Sequence, residues 1–218
     1  LCKKTVAKIL KQHGFDLGDK KRAVGWFEFL RSQSHGVYLA CDFFTVETIM
    51  MEKLFVFFVI NVKTKEIIVS AVTKSPNRCW LENVLRTSFC FYDNLPKVMV
   101  SDRDWVYGSW LKEFLQESFK IKLIRTPPRQ PVHNCFAERM VRTFREELTD
   151  RIIVYNRPHL SRVVSEYVKY YNEDRIHSSL CLSSPKNTFG FKKVEFNRSN
   201  VVRRKLLGGM VNDFSLAG

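Results

Sequence analysis

Three short β-rich runs follow one another between Val37 and Thr73, and their order relative to the segments behind them limits the fold more than any other feature. The runs are Val37–Phe44, Leu54–Val62 and Glu66–Thr73. Asn61–Lys65, between the second and third, carries a turn-forming Asn and charges, so the three read as an antiparallel meander. A helix is predicted over Asn77–Phe89, with Trp80, Val84 and Leu85 on its apolar face. A strand at Lys97–Ser101, a helix at Ser109–Ser118, a strand at Lys120–Arg125 and a Pro-rich loop at Thr126–Pro131 follow. The chain then reads as helical to about Ile152 and again over Pro158–Tyr171, where Leu160, Val163, Val164, Tyr167, Val168 and Tyr171 recur at the helical period. This order describes an α/β layered domain with a mixed sheet of about five strands and a helical C-terminal extension.

A chain of 218 residues with 45% apolar residues is long enough to hide roughly 70% of its unfolded surface, which excludes disorder over most of its length. The longest apolar run, Leu54–Ile60, is seven residues, far short of a membrane span, and no membrane partner is expected. Cys2, Cys41, Cys79, Cys90, Cys135 and Cys181 show no C-x2-C pair, so neither a disulfide framework nor a zinc module is expected. Cys41, Cys79 and Cys135 have apolar or small neighbours and read as buried hydrophobes in a reducing cytosol, with no secretory signal expected.

The formal net charge is +14, which directs attention to polyanionic partners and to nucleic acid first. Residues 1–36 carry 8 basic and 3 acidic side chains, residues 37–150 carry 16 and 14, and residues 151–218 carry 12 and 5. A nearly neutral middle between basic flanks suits an acid-bearing core with DNA-gripping extensions, although basic flanks also serve solubility alone. Lys4, Lys8 and Lys11 surround a short apolar helix stripe of Val6, Ile9 and Leu10, which reads either as the last helix of a helix-turn-helix or as a plain surface helix. The sequence opens at Leu1 inside that helix, so a preceding N-terminal piece is expected.

Asp42 interrupts the apolar strand Tyr38–Phe44, where an unpaired carboxylate needs a cation or an exposed strand end. Asp102 ends the apolar strand Val98–Ser101, the position where open α/β sheets carry functional side chains. Glu138 opens a helix whose apolar face is Phe136, Met140, Phe144 and Leu148. Each acid alone has an ordinary structural explanation: a strand end, a turn former, and a helix pair between Glu138 and Arg142. Together they provide three hard oxygen donors, the set that Mg2+ prefers, and three neighbouring carboxylates repel unless a cation neutralises them. A two-metal phosphoryl-transfer site is the natural chemical reading.

Asp102 and Glu138 are separated by 35 residues, and with Asp42 upstream the pattern resembles the Asp, Asp-35-Glu signature of retroviral integrases and bacterial insertion-sequence transposases. Ser101-Asp102-Arg103-Asp104, Thr126-Pro127, Asn134 to Arg139, Tyr171 to His177 and Ser184-Pro185 follow the integrase-core order. Cys41 to Thr48 and the tail Arg203 to Met210 look most similar to integrase-like insertion-sequence transposases, and the likeness runs from about Ser34 to Gly209. The resemblance implies a ribonuclease-H-like fold, with Asp42 bridging two Mg2+ (or Mn2+) ions and Asp102 and Glu138 each completing one. It also implies cleavage and strand transfer on transposon ends and target DNA, a homo-oligomer assembled on that DNA, and a bacterial cytoplasmic location on the nucleoid. A structure-specific nuclease on the same fold and a non-catalytic DNA-binding remnant are the alternatives.

The organisation expected is a basic helix and linker over 1–33, a catalytic core over 34–191 and a basic tail over 192–218. Arg139, Arg142 and Arg145, beside Glu138, are candidate DNA contacts along with Lys4, Lys8 and Lys11. Arg103-Asp104 stands where many integrase cores carry Asn-Gly, and Asp104 is expected to cap the next loop. Asn134 is expected to cap the Glu138 helix. His177 is left outside the catalytic set, and Trp105, Trp110, Tyr170 and Tyr171 are assigned to the core. The first forty residues offer only Cys2, His13 and His35, so no zinc is expected.

Overall fold

The computed structural model describes residues 37–126, 134–187 and 201–216, with Thr5, Ile9, Gln12, His13 and Glu28 described singly. By its contacts the chain separates into residues 1–36 and residues 37–218, and the fold set out here is that of the second unit. The basic N-terminal helix with Lys4, Lys8 and Lys11, and most of the Pro-rich loop after Thr126, lie outside the described residues.

The meander forms as expected from β1 (Leu39–Glu47), β2 (Lys53–Asn61) and β3 (Ile67–Thr73), paired antiparallel in sequence order. Helix α1 (Arg78–Phe89) begins at Asn77, whose side chain accepts the Trp80 N–H at 2.9 Å. Next come β4 (Val98–Ser101), α2 (Ser109–Phe119) and β5 (Lys122–Arg125), and the two strands add parallel to β1. The five-stranded sheet has the order β3-β2-β1-β4-β5. Helices α3 (Cys135–Glu147) and α4 (Arg157–Glu173) complete it, α4 starting at an Asn156 cap with Pro158 in its first turn. A two-stranded antiparallel hairpin, β6 (Val201–Leu206) and β7 (Val211–Leu216), occupies the stretch expected only to be a basic tail.

Strand alternation divides the core between two faces of the sheet. Leu39, Cys41 and Phe57 pack with Leu81, Leu85 and Phe89 of α1 and Leu111 and Leu115 of α2. Phe44 and Phe58 turn to the other face, where the Phe144 ring lies 5.3 Å and 5.6 Å from theirs and 5.2 Å from Tyr167 of α4. The apolar stripe of α4 is buried at Leu160, Val163, Val164, Tyr167 and Tyr171 as its period requires, with Val168 only half-buried at the stripe's edge. In α1 the buried face is Leu81, Leu85 and Phe89, rotated from the expected Trp80 and Val84, which are half-buried. Cys79, expected to be buried, is exposed in the first turn of that helix, and Cys135 is half-buried.

One polar residue ties α4 to the sheet. Asn172 is buried, its Nδ2 donates to the Ile67 carbonyl at 2.9 Å, and its Oδ1 accepts the Ile67 N–H at 2.9 Å. The amide thus behaves as one residue of an additional strand beside β3, next to the irregularity in the β2–β3 register. Asn172→Leu leaves two buried backbone groups without partners and is expected to lower stability by about 2–4 kcal/mol, read by denaturant titration. A loss below ~0.5 kcal/mol would show that water replaces the amide.

Candidate active site

Parallel pairing places the first two acids side by side. β1 and β4 are in register at Leu39 with Met99 and Ala40 with Val100, and continuing that register by two residues brings Asp42 level with Asp102, just past the end of β4. Asp42 alternates with Ala40 and Phe44, so its carboxylate belongs to the face covered by α3. Glu138 is exposed in the first turn of α3. An open cavity of about 400 Å³ is lined by Asp42, Asp104, Glu138, Val141 and Arg145, among others.

The acids sense one another. Burial first, and then the Asp102 carboxylate, push the Asp42 carboxyl up to about 7. The Phe43 N–H, donating to Asp42 Oδ1 at 2.8 Å, offsets part of the rise, while Glu138 and Asp104 add to it. Burial also raises Asp102, whose Oδ1 accepts the Asp104 N–H at 3.0 Å. Among the described residues, no three His, Cys, Asp or Glu side chains stand close enough together to hold a metal ion. The donor set is nevertheless all oxygen and its members repel one another, which is the chemistry a hard divalent cation relieves.

Two expected helix caps work differently. Asn134 makes no capping bond; it is buried, and its Nδ2 donates to the Cys41 carbonyl at 3.2 Å, tying the start of α3 to β1 one residue before Asp42. That bond sets the Glu138 turn against the Asp42 strand. Asp104 likewise makes no capping bond; its N–H is accepted by Asp102, and it lines the cavity as the third acid with Asp42 and Glu138, whereas Asp102 is not among the lining residues. Trp105 is 76% exposed beside these acids, contrary to its core assignment, whereas Tyr171 is buried. Cys41 is buried with its Sγ donating to the Val100 carbonyl at 3.6 Å, and burial raises its thiol far from the thiolate range.

The arginines beside Glu138 diverge. Arg145 reaches the acid cavity, and Arg139 lines a different cavity on the other side of α3. Arg142 is exposed and lines neither. A network that sequence reasoning missed joins α3 to α4. Arg175 donates to Glu147 through Nη2 at 2.6 Å and Nε at 3.0 Å, and Tyr167 donates to Glu147 at 2.8 Å. Burial works to raise Glu147, but the bonds from Arg175 and Tyr167 outweigh it and hold the carboxyl below its usual range. His177, next to the Arg175 Nη1, is driven down to about 4 by burial and by that cation, so it is neutral near pH 7.

Residues 119–185, which include Glu138 but neither aspartate, match the model of an integrase core domain. The HTLV-2 integrase catalytic core domain, solved in complex with magnesium, shares the fold at a TM-score of 0.54 and 11% identity, over 68% of this chain and 92% of that one. The fold is that of an integrase catalytic core. A simian T-cell lymphotropic virus intasome, solved with a PP2A regulatory subunit, aligns at a TM-score of 0.58 and 12% identity over 82% of this chain and 66% of that one. No curated protein matches the chain by sequence.

Proposed function

We propose that this chain is a metal-dependent DNA transposase or integrase that cuts a DNA end and joins it to target DNA, of the insertion-sequence type that its motifs resemble. The observation that carries the reading is the parallel pairing of β1, which bears Asp42, with β4, which Asp102 directly follows, and Glu138 on the helix that Asn134 fastens to β1. Asp42, Asp102 and Glu138 would hold Mg2+, with Mn2+ as a substitute. The metal, when bound, activates the attacking hydroxyl and neutralises charge at the scissile phosphate. Asp42 sits within β1 and Asp102 directly follows β4, whereas Glu138 lies on the exposed first turn of α3. Arg145, which lines the same cavity, would hold a phosphate of the bound strand. A homo-oligomer on DNA and a bacterial nucleoid location belong to the same reading.

Incubating the chain with a labelled donor end, target DNA and Mg2+ tests it. Covalent joining of donor to target is expected. Cleavage without joining would assign a nuclease, and neither activity, from this chain or from one extended at its N-terminus, would assign a DNA-binding remnant.

A further inference from the structure

On the side of α3 away from the acids, a half-enclosed cavity of about 340 Å³ gathers positive charge from three separate elements. Lys65 comes from the β2–β3 turn, Arg139 from α3 and Arg175 from the end of α4, with His177 and Ser179 beyond it. No carboxylate is among the described residues lining this cavity. Arg175 is already bound to Glu147, which leaves Lys65 and Arg139 without an ion pair among the described residues.

The two cations flank one ring. Lys65 Nζ lies 4.7 Å from the centroid of Phe136, and the Arg139 guanidinium lies 6.0 Å from it. Lys65 Nζ spends one donor on the Val62 carbonyl at 2.7 Å, leaving two hydrogens for the cavity. Burial, and then the charge of Arg139, lower the Lys65 pKa, so the pair is held together against its own repulsion. A bound anion offsets the repulsion between the two cations and favours the charged form of Lys65. The cavity is too small for a folded partner and large enough for one phosphate with its attached sugar.

We propose that this cavity is a phosphate-binding site, in which Lys65 and Arg139 grip one phosphate group and Ser179 and His177 offer further polar contacts. The phosphate comes either from a nucleic-acid strand crossing α3 or from free phosphate. The site stands on its own charge and shape, independent of strand transfer.

The test uses the whole chain in the presence of chelator, so that it does not depend on metal or on catalysis. Lys65 has φ +64°, a conformation that Asn accepts, so Lys65→Asn removes the charge without straining the turn. Lys63→Asn, two residues away on the exposed side of the turn, is the comparison, and Arg139→Gln is a second probe should Lys65→Asn fold poorly. Melting is followed with and without inorganic phosphate, and duplex DNA binding is followed against salt. If a strand is the source, Lys65→Asn weakens DNA binding roughly fivefold and reduces the salt slope by about one, while Lys63→Asn does not. If free phosphate is the source, phosphate raises the melting temperature of the parent chain, and the rise disappears in Lys65→Asn only. An unchanged phosphate response and DNA affinity in both Lys65→Asn and Arg139→Gln, or equal losses in Lys63→Asn and Lys65→Asn, would overturn the proposal.

Discussion

Asp102→Asn is expected to bring metal-dependent cleavage and joining below detection while leaving the melting temperature at or above the parent value and DNA binding in chelator unchanged. The amide keeps the size of the carboxylate and the ability to accept the Asp104 N–H, so the turn after β4 survives. What it loses is the negative charge that a hard cation needs, beside Asp42 on the neighbouring strand. Because burial already disfavours that charge, removing it relieves the fold rather than straining it. Asp104→Asn is the informative partner experiment, since Asp104 also lines the cavity with Asp42 and Glu138. Undiminished joining by Asp102→Asn, with loss in Asp104→Asn, would move the role of the second carboxylate two residues along the chain. Undiminished joining by both would sink the metal mechanism.

The parts of this fold that were legible in the sequence are those governed by local period. The β1–β3 meander, the alternation that sends Asp42 and Phe44 to one face, and the α4 stripe from Leu160 to Tyr171 all follow from spacings of two, three and four residues. The positions of Asp42 within β1 and Asp102 at the end of β4 were legible because each interrupts or ends an apolar run, which is visible without coordinates. The contacts that bring distant segments together were not legible. Asn172 meets Ile67 across 105 residues and Asn134 meets Cys41 across 93, and neither partner carries a local mark. Both asparagines lie close to helix ends, where capping is the ordinary expectation, and buried carbonyls claimed them instead. The cavity of Lys65, Arg139 and Arg175 was hidden for the same reason, because its cations lie on three elements and form no run in the sequence.

Asp42 is expected to make the metal-free chain less stable as pH rises. Its carboxyl is raised from 3.8 to about 7 in the folded state, so between those values the folded chain holds a proton that the unfolded chain has released. The stability tied to that proton is complete below pH 4 and is lost as the pH climbs through 7. A rise of that size corresponds to at most ~4 kcal/mol. Asp42→Asn, which imitates the protonated acid at every pH, is therefore expected to match the parent near pH 4 and to exceed it at pH 8 by up to that amount. Taking the difference between the two proteins cancels the titration of every group they share. Mg2+ should reverse the order at pH 8, stabilising the parent by mass action while leaving Asp42→Asn unmoved. Denaturant titrations at pH 4, 6 and 8, with and without Mg2+, give all these values. A parent-minus-variant difference that stays constant with pH would mean that Asp42 holds its proton equally in the folded and unfolded chain, and the raised carboxyl would be refuted.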